Sequence, residues 1–293
     1  MTGRRLASAR GIGSALGGAC LITALLVAGA GSAGAQRRGS RGGGGFNQYF
    51  GSPDEMYQPP DFHGNVPYDG RFTFARIRYR GFDHFSGREG PGWSHDYPDA
   101  EENFTKIVRD ISTIDPFVQQ GPMVGSVLVA LDDPLLFKYP VAYMSEPGGW
   151  HPNDKEIAGF RTYLEKGGFI IFDDFRENWR GEFDFTNLRQ EVARAFPNAK
   201  WVKLTGNEPI FDSFFKIDLQ AEISRTSAYG TNLPTYWTVY EDNDPKKRML
   251  FIANVDNDIG ESWQWSGTGF VPIAAANETY KLGVNYIIYA LTH

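Results

Sequence analysis

The run from Asn153 to Phe172 (NDKEIAGFRTYLEKGGFIIF) restricts the fold more than any other part of the chain. Asn153 to Lys166 has the spacing of an amphipathic helix, and Gly167-Gly168 is a strong helix stop. The chain then passes straight into Phe169 to Phe172, four apolar residues in a row. A strand that is apolar on both faces must be covered on both faces. A helix feeding such a strand is the unit from which parallel sheets flanked by helices are built.

The remaining pattern agrees. Phe72 to Arg80 (FTFARIRYR) alternates apolar and basic residues, which predicts a strand with one polar face. Asp99 to Ile114 predicts a helix, with acids in its first turn where the helix dipole favours them. Val127 to Leu131 and Val141 to Met144 are short apolar runs of strand type, and Phe185 to Phe196 is another helix. Trp201 to Leu204 is a short strand. Tyr236 to Tyr240 and Met249 to Val255 flank the polar turn Asp242 to Lys247, which predicts a hairpin, and Asn277 to Leu291 is a final helix. The fold class that follows is α/β: a mostly parallel sheet with helices on both faces and an antiparallel hairpin near the C-terminus.

Three divisions are expected. Residues 1–35 combine Arg4, Arg5 and Arg10 with the apolar stretch Ala19 to Gly31 and the small-residue site Ala33-Gly34-Ala35, the layout of a secretory signal cleaved between Ala35 and Gln36. The expected location is therefore periplasmic or secreted, an uncleaved anchor being the other reading. Residues 36–70 are Gly- and then Pro-rich, a tether that lies over the domain surface or spaces it from its neighbours. Residues 71–293 form the domain. Cys20 is the sole cysteine and falls in the signal, so the mature chain offers no disulfide, thiolate zinc site or cysteine nucleophile. Net charge is −6, and −9 without the first 35 residues, which rules against a nucleic-acid backbone as partner.

In open α/β sheets ligands bind outside the carboxyl ends of the strands. The segments that follow the predicted strands carry Trp93, His95, Asp96 and Tyr97; Glu146; Asp173 and Asp174; and Asn254, Asp256 and Asp258. These ten residues are the ligand-binding candidates. Each has a plain structural reading beside it: Asp173-Asp174 as caps of the next element, Glu146 as a turn acid, the tryptophans as lids on the core. The DNDIG run at Asp256 lacks the closing glutamate of a calcium loop. His84 and His95 do not make a zinc site, and no H-E-x-x-H is present. No metal ligand and no cofactor is assigned. There is no G-x-S-x-G elbow, and neither a G-x-G-x-x-G nor a P-loop follows a strand.

The ordered segments FTFARIRYR, WSHDYPDAEENF, DDPLLFKYPVAYMSEPGGW, YLEKGGFIIFDDF and GVNYIIYALTH resemble the DUF4159 family of bacterial proteins of unknown function, over about Arg71 to His293. That resemblance implies a class I glutamine amidotransferase-like, flavodoxin-type fold and work in the cell envelope, and it carries no catalytic residues. Amidotransferases of that fold use a cysteine after a central strand; here that position is Asp173-Asp174, so glutamine hydrolysis by that route is excluded. Two functions are expected. The first is a non-catalytic binding or assembly module that holds a small polar ligand or an envelope partner, with membrane association only through tether or partner. The second is an exported hydrolase of carbohydrate-type substrates that uses acidic residues, with or without a divalent ion.

Overall fold

The computed structural model describes residues 64–79, 92–120, 123–177, 184–219 and 233–293. The expected signal, its cleavage site at Ala35–Gln36, the Gly-rich stretch and His84 lie outside the described residues. Among the described residues no helix is long and apolar enough to cross a membrane.

The strands are β1 (Phe74–Ile77), β2 (Gln119–Gln120), β3 (Met123–Val124), β4 (Ser126–Val129), β5 (Val141–Ser145), β6 (Phe169–Phe175), β7 (Trp201–Lys203), β8 (Thr235–Val239) and β9 (Phe251–Val255). Helices are α1 (Asp99–Ile111), α2 (Asp154–Glu165), α3 (Asp184–Ala195), α4 (Ile259–Gln264) and α5 (Ile273–Thr292). The main sheet has seven strands in the order β4-β1-β5-β6-β9-β8-β7, while β2 and β3 form a separate antiparallel pair. From β4 to β9 every pairing is parallel. Strand β8 runs antiparallel to both β9 and β7. Numbered by their order in the chain, the five parallel strands read 2-1-3-4-5. In that doubly wound order the winding reverses between β1 and β5, and a crevice opens there at the carboxyl edge.

Alternate residues of each strand enter two separate cores, as a period of two requires. Ala75, Ala142, Ile170, Phe172 and Ala253 pack with Phe160 of α2 and Leu188 of α3. Phe74, Val141, Tyr143, Ile171 and Ile252 pack with Phe104 of α1, Trp263 of α4 and Ile287 of α5. All seven residues of β6 are buried, which is why its sequence shows no alternation. Helix α2 opens with a capping box: the Asn153 side chain accepts from the amide of Glu156 at 3.0 Å, and Glu156 accepts from the amide of Asn153 at 2.9 Å. It closes at Gly167, whose φ of 100° suits glycine.

Three details depart from the sequence expectation. The polar face predicted for the first strand is not in solvent, because β1 is an inner strand and Arg76 is only 1% exposed. Helix α4 was not expected; six residues are too few to show a helical period. Helix α5 begins at Ile273, four residues ahead of the predicted start. In the segment before β1, Asn65 exchanges hydrogen bonds with the backbone of Leu128 in β4 and Val66 is buried in the core, while residues 67–70 are exposed.

Candidate metal centre

Strand β6 carries the two neighbouring acids just before its last residue, Phe175, and the structure gives them different surroundings. Asp173 keeps the extended backbone and points to the α4 side of the sheet. One oxygen accepts from Tyr143 Oη at 2.7 Å and from the amides of Ile259 and Gly260 at 2.9 and 3.0 Å; the other accepts from Asn254 Nδ2 at 2.9 Å. It thus satisfies amides at the start of α4 that a helix leaves open. Asp174 departs from the strand with a φ of 57° and sends its carboxylate toward the crevice. There its Oδ2 lies 2.7 Å from His95 Nδ1 and 3.4 Å from Ser145 Oγ.

His95 and Asp96 arrive from the segment between β1 and α1. Arg76 fixes this segment from below. Its guanidinium pairs with Glu101 of α1, donates to the carbonyls of Trp93 and His95 at 2.9 and 2.6 Å, and lies over the Tyr143 ring. A buried guanidinium needs several acceptors at once, and this one finds them in the loop it holds. Asp96 adopts a φ of 63°, and its side chain is fully buried. Among the described residues, neither of its oxygens receives a hydrogen bond. Burial pushes its carboxyl up to about 8, with the His95 imidazole opposing and the Asp174 charge adding. Burial alone would lower His95. The hydrogen bond and charge of Asp174, then Asp96 and Glu146, outweigh it and carry the imidazole up to about 10.

Asp258 completes the group. It caps α4 by accepting from the amide of Glu261 at 2.7 Å. Burial, then the charges of Asp174 and Asp96, raise its carboxyl well above the usual range. One donor atom from each of His95, Asp96, Asp174 and Asp258 lies within 4.8 Å of all the others. Two ligands on opposite sides of an ion stand about two bond lengths apart, roughly 4–5 Å for divalent cations. The spread of the four is within that range, so they could surround one ion once the hydrogen bond between His95 and Asp174 gives way.

Glu146 borders the group from the end of β5. Its Oε1 is 3.7 Å from His95 Nδ1, its backbone is left-handed with a φ of 47°, and its side chain is 21% exposed. The Tyr79 hydroxyl ties this strand end down by donating to the carbonyl of Ser145 at 2.9 Å and to that of Glu146. Gly92 makes room on the other side, since a Cβ there would lie 2.2 Å from Glu146 Oε2.

Of the ten sequence candidates, five converge here: His95, Asp96, Glu146, Asp174 and Asp258. Asp173 lies one layer below. Asn254 joins it in a buried network, bonded to Asp173 and accepting from Tyr286 Oη at 3.1 Å. The buried Asp256 accepts from the amide of Glu177 and is not one of the four donors. Trp93 is buried in the core, with Tyr97 half-buried against it. Arg76 and Gly92 were not singled out from sequence, because an arginine on a predicted polar strand face and a loop glycine look ordinary. The sequence model of a domain of unknown function, DUF4159, matches residues 73–291. No curated protein matches the chain.

Proposed function

The chain belongs to the DUF4159 family, and we propose that it is an exported cell-envelope protein that holds one divalent cation at the carboxyl edge of its sheet through His95, Asp96, Asp174 and Asp258. The observation that carries this reading is Asp96. A carboxylate buried without a donor costs several kcal/mol, and native proteins leave few such groups unless something else meets them. A cation does so, and it also balances the neighbouring carboxylates. One imidazole with three carboxylates suits Mn2+ or Zn2+; calcium sites are built from oxygen alone. The backbone supports the same reading, because Asp96, Glu146 and Asp174 are all left-handed residues around one point. Strain of that kind gathers at functional sites.

Such a centre serves either a binding module for a polar ligand or a hydrolase. The position of Glu146 beside His95, which is one-third exposed, favours the hydrolase. The cation itself is tested by thermal unfolding and titration calorimetry of chelator-treated protein with Mn2+, Zn2+, Mg2+ and Ca2+. Saturating Mn2+ or Zn2+ should stabilise the fold by about 3–4 kcal/mol at 100 to 1,000 times Kd, and Asp96→Asn should abolish the effect. An absence of stabilisation by every cation, or equal stabilisation of Asp96→Asn, overturns the reading.

A further inference from the structure

We propose that this centre hydrolyses neutral acyl compounds, amides or esters, with Glu146 accepting the proton of the attacking water. The inference rests on the cation reading above and goes on to the substrate class and to a residue outside the four-donor set.

The first support is placement. Asp96, Asp174 and Asp258 are buried, so the cluster meets solvent on the side of His95 and Glu146. Among the described residues, the Glu146 carboxylate stands on that more exposed side. A second support is local geometry. Glutamate is a poor choice for a left-handed position, which Gly or Asn would fill with less strain. Its carboxylate also occupies the space that a Cβ at residue 92 would take. Backbone and loop therefore converge on holding a long acidic side chain at the mouth.

Charge selects the substrate. Counting only these groups, three aspartates and Glu146 set four negative charges against the two of the cation. Phosphate esters and other anions are repelled by such a field. Glycoside cleavage ordinarily needs two carboxylates and no metal. A neutral carbonyl gains from a cation that polarises it, which singles out amides and esters. The water oxygen bonds to the carbonyl carbon while its proton passes to the Glu146 carboxylate. The bond from that carbon to the amine nitrogen or alcohol oxygen then breaks, and the leaving group takes the proton from Glu146. The products are a carboxylic acid and an amine or alcohol, with no other reactant.

The test uses the full chain loaded with Mn2+ or Zn2+, and as probes p-nitrophenyl acetate, N-acetylated chito-oligosaccharides and p-nitrophenyl phosphate. The loaded protein should cleave at least one neutral acyl probe at least 100-fold faster than the chelated protein does, and leave the phosphate intact. Glu146→Gln should lose on the order of 100-fold or more in kcat, the usual contribution of a positioned base, with cation affinity within about 3-fold. Gly92→Ala, which displaces the same carboxylate without removing it, should lose activity in parallel. Cation binding with no acyl cleavage overturns the proposal and leaves the cation reading standing. Full activity in Glu146→Gln removes the residue's role, and faster phosphate cleavage removes the substrate class. Failure to bind any cation is a failure of the reading beneath.

Discussion

Two carboxylate groups sit back to back near the end of β6, entered by the consecutive residues Asp173 and Asp174. On the α4 side, Asp173 receives four hydrogen bonds from Tyr143, Asn254, Ile259 and Gly260, and the network runs on to Tyr286. On the crevice side, Asp96 receives none, and Asp174 and Glu146 are held with strained backbones around a histidine. Asp173, Asp96 and Asp174 are all buried and acidic, so neither burial nor composition separates them. Donor accounting does. A carboxylate whose lone pairs are met by fixed amides and hydroxyls belongs to the fold, whereas one left without donors waits for something from outside.

Removing Asp173 should have the largest effect on stability. Asp173→Ala leaves two amides, a hydroxyl and an amide side chain buried without an acceptor, and should cost on the order of 4 kcal/mol, read from urea denaturation. Asp96→Asn, measured without cation, should be neutral or stabilising, because it removes a buried carboxyl that accepts no hydrogen bond and has only the His95 ring, 3.8 Å away, as an ionic neighbour. If both substitutions destabilise equally, the two groups are alike and the distinction fails.

The contrast also explains what the sequence could and could not show. Helix α2, its glycine stop and strand β6 follow from local periodicity, and so does the rule that places polar residues after each strand at one edge. The site itself depends on strand order. His95 and Asp174 are 79 residues apart and meet only because β1 lies beside β5 and β5 beside β6. Helix α4 hid Asp258's role, since a six-residue helix after D-N-D looks like a loop. The left-handed backbones were hidden as well, because the usual signs, Gly and Asn, are replaced by Asp and Glu.

The dependence on pH should separate the same two groups. In the folded protein Asp173 is raised to about 6, Asp96 to about 8 and His95 to about 10. All three are raised, so the native state holds protons that the unfolded chain has released, and stability falls as pH increases. The loss through Asp173 falls between about 4 and 6. That through Asp96 extends to about 8. For His95 the stabilisation is complete below about 6.5 and gone above about 10. Without cation, therefore, the melting temperature should continue to drop between pH 6.5 and 10. Asp96→Asn should flatten the part below 8 and, because the Asp96 charge helps to raise His95, also weaken the part above it. A saturating cation displaces these protons and should reduce the slope at alkaline pH. A flat profile from 6.5 to 10 in cation-free protein would show that the crevice group is already neutralised by other means.

The smallest expected effect concerns strain on the crevice side alone. Glu146 has a φ of 47°, and a non-glycine residue in that region costs roughly 1 kcal/mol, less for Asn, whose short side chain tolerates it. Glu146→Asn should accordingly raise stability by up to about 0.5 kcal/mol in urea denaturation, while the shorter side chain no longer reaches the space beside Gly92. No such gain is available at Asp173, whose backbone stays extended and whose every oxygen is used. A stability gain at Glu146 together with lost acyl cleavage would mean that the fold tolerates strain there to keep a carboxylate at the mouth. If Glu146→Asn instead destabilises by 1 kcal/mol or more, the glutamate is holding the end of β5 as a structural residue, and it belongs with Asp173 on the satisfied side of the comparison.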